Sequence, residues 1–203
     1  MNKSAGTRLD ILQKAFELIY KNGFQPTSID TIIASTNVTK GAFFYHFKNK
    51  EEMGLALIAE VLSPGMHEAM IEPLHHANDP LKALYKMMQG LLMENSFFRI
   101  EYGCPAVNLT EEMGPLNEQF GNALRQLLVT WQSAIQLVIE QGKKSGEIKE
   151  SADPVHIAIF ITAGYAGIRN MGKIMGKDCY TGFLAQFSTF LDSLRPHSPL
   201  PKH

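Results

Sequence analysis

An all-α fold is predicted for this chain on three grounds. Apolar residues recur at three- and four-residue spacing, as in Leu9, Leu12, Phe16 and Ile19. Asp-Pro pairs and single glycines sit where such stretches begin and end. The apolar–polar alternation of a half-buried strand is absent, and no internal repeat emerges.

The elements follow in order. A first helix over residues 4–22 stops at Gly23. A second begins after Ser28 or Thr27, either of which can cap it, and carries Ile29, Ile32 and Ile33. A turn follows at Ser35–Asn37, where Asn37 tolerates left-handed backbone. Thr39 caps a third helix over residues 40–47. A long fourth helix over residues 50–76 is expected to kink near Pro64-Gly65. Asp79-Pro80 opens a fifth, to residue 96, and Pro105 a short sixth, to Met113. Pro115 opens a seventh that runs to Ser145 and ends at Gly146. Asp153-Pro154 starts an eighth over residues 155–175, and the last spans 180–194 before the proline-broken tail.

The stretch TSIDTIIASTNVTKGAFFYHFKNK, residues 27–50, carries the functional signal. Two short helices across a tight turn form a helix-turn-helix, and small residues at Gly41 and Ala42 let the second helix sink into a major groove. Thr27, Thr39, Tyr45, His46 and Lys50 are expected at phosphates, Lys40, Gly41, Ala42 and Phe43 at base edges, and Ser28 within the same DNA-binding set.

The wider stretch from Thr7 to Met53 resembles the DNA-binding domain of the tetracycline-repressor (TetR) family. The match rests on Arg8, Asn22-Gly23-Phe24, Thr27-Ser28-Ile29, Val38-Thr39-Lys40-Gly41, Tyr45-His46-Phe47 and Lys50-Glu51. It departs from the family at Asn37 (usually glycine), at Ile33 (usually small, where the helices cross) and at Phe44 (often a phosphate-contacting Tyr), which is therefore expected to pack. The resemblance implies a DNA-reading head on a helical, ligand-sensing body. Expected domains are a head at 1–49, an effector-binding and dimerisation body at 50–195, and a disordered tail at 196–203.

Charge fits a DNA-reading head. Residues 1–50 hold seven cations against three carboxylates, net +4, although the whole chain is −1. Two cysteines, Cys104 and Cys179, point to a reducing compartment without a disulfide scaffold. No apolar run approaches about 18 residues, and the N-terminus lacks the apolar middle of a signal peptide, so a cytoplasmic protein is expected.

In the body, Ala163, Gly164, Ala166, Gly167 and Gly172 leave room for a second helix, and Phe183, Phe187, Phe190, Leu191 and Leu194 form an apolar stripe. A homodimer through residues 153–194 is expected, as the resemblance also implies, reading a near-palindromic double-stranded operator. Met66, Met70, Phe97 and Trp131 are candidates to line an adaptable apolar cavity for a small-molecule effector, with Asn108 or Tyr165 as polar anchors. Packed core is the competing reading of the same residues.

Cys104 sits at the mouth of the sixth predicted helix, where backbone N–H groups and the helix dipole favour thiolate. The Gly103-Cys104 pair resembles that of a TetR subgroup, some of whose members sense electrophiles or oxidants; a small buried hydrophobe is the alternative. His75-His76 lacks further ligands at metal spacing, so no metal is expected. Glu111-Glu112 and Lys143-Lys144 read as solvated faces. No phosphate loop, serine elbow or Cys–His pair marks a catalytic site, and no cofactor is expected. The expectation is a DNA-binding repressor released by a small apolar ligand. Its alternatives are a thiol sensor acting through Cys104 and a helical carrier or enzyme without DNA binding.

Overall fold

The computed structural model describes residues 3–75 and 79–196. Among them are helices and turns but no strand. The expected end of the long helix at His76 and the tail from residue 197 lie outside the described residues. The chain divides into two compact units: one runs to Met66 and includes Cys104–Leu127, the other holds His67–Gly103 and everything from Leu128.

The first unit starts with α1 (Lys3–Asn22), which buries Ile11, Leu12, Ala15 and Ile19. That face is rotated from the expected one, leaving Leu9 and Phe16 half-exposed. Gly23, at φ +95°, terminates the helix, its N–H donating 2.8 Å to the Ile19 carbonyl. Ser28 caps α2 (Ile29–Ala34), accepting from Thr31 N–H at 3.0 Å. The Ser35 and Thr36 hydroxyls donate back to the carbonyls of Ile32 and Ile33 and close the turn. Thr39 caps α3 (Lys40–His46), accepting from Ala42 N–H at 3.2 Å. Ile32, Phe43 and Phe47 are enclosed in this three-helix head, and Met53 just after it is likewise buried.

Asn49 caps α4 (Lys50–Leu57) through Glu52 N–H at 2.7 Å, and the Glu52 carboxylate returns to Lys48 N–H. The chain continues through a π-helical turn, Ile58–Leu62, into α5 (Ser63–Met66). Proline removes a donor and its ring crowds the preceding turn. The wider turn at Ile58–Leu62 leaves room for the ring of Pro64, and a second π turn, His67–Ile71, opens the second unit.

The second unit continues from that π turn through a 3₁₀ turn, Glu72–Leu74, to α6 (Pro80–Gln89), capped by Asp79. A π turn, Gly90–Glu94, ends the fifth predicted helix two residues early. In the first unit α7 (Pro105–Met113) matches its predicted bounds. The next helix, α8 (Glu118–Ser145), starts three residues after Pro115. Asn117 is the reason: its side-chain oxygen accepts from the N–H groups of Gln119 and Phe120. In the second unit, α9 (Pro154–Met175) is capped by Asp153, and α10 (Asp178–Asp192) packs on α6 and α9. Trp131, Ile135, Ile139, Met87, Met88, Ile161 and Tyr165 are buried in this second core. No helix of the described residues is long and apolar enough to cross a membrane.

Candidate DNA interface and sensing core

α3 turns one face inward and leaves the other to solvent. Phe43 is fully buried and meets Phe47 one turn on in a tilted ring contact, centroids 5.6 Å apart. Thr39, Lys40, Gly41 and Lys48 are exposed, Phe44 is 45% exposed and Tyr45 78%. A Cβ on Gly41 meets nothing nearer than the Thr39 hydroxyl at 3.9 Å, so packing within the chain does not demand glycine there. Lys40 pairs with Asp30 at 2.9 Å, both side chains mostly in water. Such a pair is worth little and yields readily to a phosphate.

The head is braced from behind. Arg8 joins α1 to Glu60 and to the last carbonyl of α3. Lys50 Nζ donates to the carbonyls of Phe24, Gln25 and Thr27. The Thr27 hydroxyl, buried, donates to the Gly23 carbonyl at 2.7 Å.

The second unit holds an aromatic core. Trp131 meets Tyr165 edge-on, centroids 5.2 Å apart, and its indole N–H donates to Met87 Sδ at 3.4 Å. Arg169 is wholly buried. Its Nη2 donates to the carbonyls of Arg99 (3.0 Å) and Gly103, and its guanidinium lies within 6 Å of the Phe98 and Tyr180 rings, at 5.8 and 5.7 Å. Carbonyl dipoles and ring faces stand in part for the missing water around this cation, and the two bonds tie α9 to residues 99–103. In the first unit, Cys104 is 1% exposed at the N-cap position of α7. Asn108 lines a small cleft with Phe16, Ile19, Tyr20, Leu57 and Pro105. Among the described residues, no group of three or more His, Cys, Asp or Glu is placed to hold a metal.

Comparison with known proteins agrees with this arrangement. The family model "Bacterial regulatory proteins, tetR family" matches residues 11–57, and "Tetracyclin repressor-like, C-terminal domain" matches residues 77–186. The chain belongs to the TetR family. It is a DNA-binding transcriptional regulator, not an enzyme. An HTH-type transcriptional regulator encoded in the lacX 3′ region of Lactococcus lactis subsp. lactis is 34% identical over 129 residues, covering 64% of this chain and 66% of that protein. The transcriptional repressor DhaR of a Mycobacterium species is 23% identical over 167 residues, 79% of each chain. A TetR-family regulator of Cytophaga hutchinsonii superposes with TM-score 0.86 at 19% identity, over 98% of this chain and 99% of that one, which shows the shared fold. Regulators of this family bind operator DNA as dimers and respond to small-molecule effectors.

Seen as a TetR head, the predicted DNA residues divide. Ser28, Thr39, Lys40, Gly41 and Tyr45 face solvent, and Ala42 and His46 are half-buried. Phe43 does not: it is core, and Phe44 is the exposed ring, the reverse of the expectation. The pairing of Phe43 with Phe47 at i,i+4 sets that register. Thr27 and Lys50 spend their polar groups on the loop before α2, so they support the surface from within. The expected effector residues fall into two groups. Met70, Phe97, Trp131 and Tyr165 belong to the second unit, whereas Met66, Cys104 and Asn108 belong to the first.

Several participants were not predicted. Glu112 is no solvated surface carboxylate, because it accepts from backbone N–H groups of the head. Lys143 likewise donates to the Ala152 carbonyl at 3.0 Å. Neither partner is readable locally, since Glu112 reaches 87 and 88 residues back. Arg169 had one faint signal, a lone cation within the apolar run IAIFITAGYAGIRNMG.

Proposed function

We propose that this regulator is a homodimeric repressor whose α3 helices enter successive major grooves of a near-palindromic operator and which leaves that operator when a small, largely apolar effector occupies the body. The observation that carries the reading is the solvent face of α3. It offers a cation, a phenol and a bare glycine backbone with no packing role, the groups needed to touch phosphates and approach base edges. Ser28, Thr39, Tyr45 and His46 contact phosphates; Lys40, Gly41 and Ala42 face the bases; Lys50 and Thr27 hold the surface in place.

Dimerisation is supported by α9. Val155, Ile159, Ala163, Gly167, Met171 and Met175 recur every fourth residue and are all exposed, an apolar ridge along the whole helix. Beside it, Phe160, Phe183, Phe187 and Phe190 line an open apolar groove. The packed Trp131–Tyr165–Met87 cluster supports an apolar effector, because a thioether repacks readily around a new occupant. A cytoplasmic location is consistent with DNA binding.

The decisive experiment is fluorescence anisotropy on duplexes flanking the protein's own gene, across a salt series. Affinity that falls steeply with salt and is lost in Tyr45→Ala supports the reading. Salt-independent association, or none, overturns it.

Cys104 supports a second reading, a thiol sensor. It stands at the N-cap position of α7, the helix whose far end carries Glu112. Oxidant or alkylating agent should then release wild-type protein from DNA and leave Cys104→Ser bound; equal release of both rejects the thiol reading.

A further inference from the structure

The loop joining α1 to α2 is gripped at both poles of its peptide groups. The Glu112 carboxylate of α7 accepts the N–H of Phe24 and that of Gln25, each at 2.7 Å. From the other side, Lys50 Nζ donates to the carbonyls of Phe24, Gln25 and Thr27 at 3.0, 3.0 and 3.2 Å and sits 4.6 Å from the Phe24 ring centroid. An ammonium has three N–H groups, so this loop saturates Lys50. Hydrogen bonds to ionised groups are roughly twice as strong as neutral ones, and here five act on Phe24, Gln25 and Thr27.

Gly23 makes the approach possible. Its φ of +95° turns the chain, and a Cβ there would stand 3.2 Å from Glu112 Oε2. The buried Thr27 hydroxyl then ties the far end of the loop back to the Gly23 carbonyl. Ser28, the next residue, caps α2, and α2 packs against α3. The position of the loop therefore fixes where the helix-turn-helix starts.

We propose that Glu112 is a positioning residue for DNA reading, and that Lys50 is its counterpart. Glu112 touches no nucleotide. Its two-pronged hold lets α7 set the register of α2 and, through α2, of the recognition helix. A shift of α7 by an ångström or two breaks both N–H bonds together, because one rigid carboxylate makes both. This goes beyond the assignment of operator and effector and does not depend on which effector is bound.

The test uses the full-length protein and the duplex that wild type enriches from a random-sequence pool. Glu112→Gln keeps the volume but aims an NH₂ group at backbone donors. It should weaken binding about tenfold, the scale of one or two charge-assisted hydrogen bonds. The slope of log affinity against log salt should stay at the wild-type value, because no phosphate contact is removed. Amide exchange at Phe24 and Gln25 should accelerate while melting shifts only a few degrees. A purely structural role would lower melting and leave affinity at 25 °C unchanged; that result, or tighter binding, overturns the proposal. Lys50→Met probes the opposite pole should the first variant fold poorly. It should weaken binding with the slope intact, whereas a slope reduced by about one would make Lys50 a phosphate contact and sink its assignment.

Discussion

Arg8 and Glu60 form a bidentate pair, with Nη2 2.6 Å and Nε 3.1 Å from the carboxylate oxygens. The same guanidinium donates from Nη1 to the His46 carbonyl at 3.1 Å and lies 4.4 Å from the Phe47 ring centroid. One cation thus holds the end of the recognition helix, where the dipole favours positive charge, and anchors it to the π turn after α4. Glu60 is 41% exposed, so the ion pair itself is discounted for solvent. Arg8→Met, which keeps much of the stem, should still cost about 1–2 kcal/mol through the orphaned carbonyl and the lost ring contact. Urea unfolding measures it; a change below about 0.5 kcal/mol refutes the bracing role. The Glu60 hydrogen bond raises the Arg8 pKa. A raised basic pKa loses its contribution only as pH climbs through it, so Arg8 titration removes no stability near neutrality.

Gly54 lies in α4 where a Cβ would come within 2.6 Å of both Phe120 Cζ and Phe24 Cε2. Those rings are buried and meet edge-on at 5.0 Å. Alanine normally gains up to about 1 kcal/mol over glycine in a helix, but forcing two enclosed rings apart costs about 1–3 kcal/mol. Gly54→Ala should therefore be net destabilising. Gly6→Ala in α1, with nothing within 4 Å of its Cβ, should be stabilising. Opposite signs in denaturant midpoints are the expected outcome, and equal signs count against the packing account.

These cases show what was legible in the chain. Ser28, Thr39, Asp79 and Asp153 were recognisable as caps because each acts on backbone two or three residues away. Helix bounds failed where a second local choice competed, as when Asn117 displaced Pro115 as the start of α8. The exchange of roles between Phe43 and Phe44 could not be read, since both rings suit a helix and only the packed interior, where Phe43 meets Phe47, chooses between them. Glu112, Glu60 and Arg169 act on partners dozens of residues distant, and no spacing rule reaches that far.

Asp79 caps α6 through Lys82 N–H at 3.0 Å and meets Arg195 at 3.4 Å. The Lys82 N–H holds its carboxyl below the ordinary value, with Arg195 adding to the effect and burial opposing it. Because the folded pKa is depressed, the stabilisation is complete above about pH 4 and fades as pH falls through the lower folded value. Asp79→Ala should lower stability by about 1 kcal/mol at pH 7, as loss of an N-cap does. Asp79→Asn keeps the acceptor but cannot titrate, so its stability should decline less than that of wild type between pH 5 and 2. Parallel acid profiles for the two proteins would exclude Asp79 as a contributor.

Ala163 stands at the centre of the exposed α9 ridge, four residues from Ile159 and from Gly167. A long cation there lies in water in a single chain, so Ala163→Arg leaves helix and core intact. If α9 pairs with its copy across a two-fold axis, as proposed, the same side chain meets its own copy, and burying two like charges against apolar surface costs several kcal/mol. Sedimentation velocity at about 10 µM should find wild type dimeric and the variant monomeric, with matching circular dichroism. Operator affinity should drop steeply, because one head alone forfeits the second half-site. A dimeric variant would move the interface off α9.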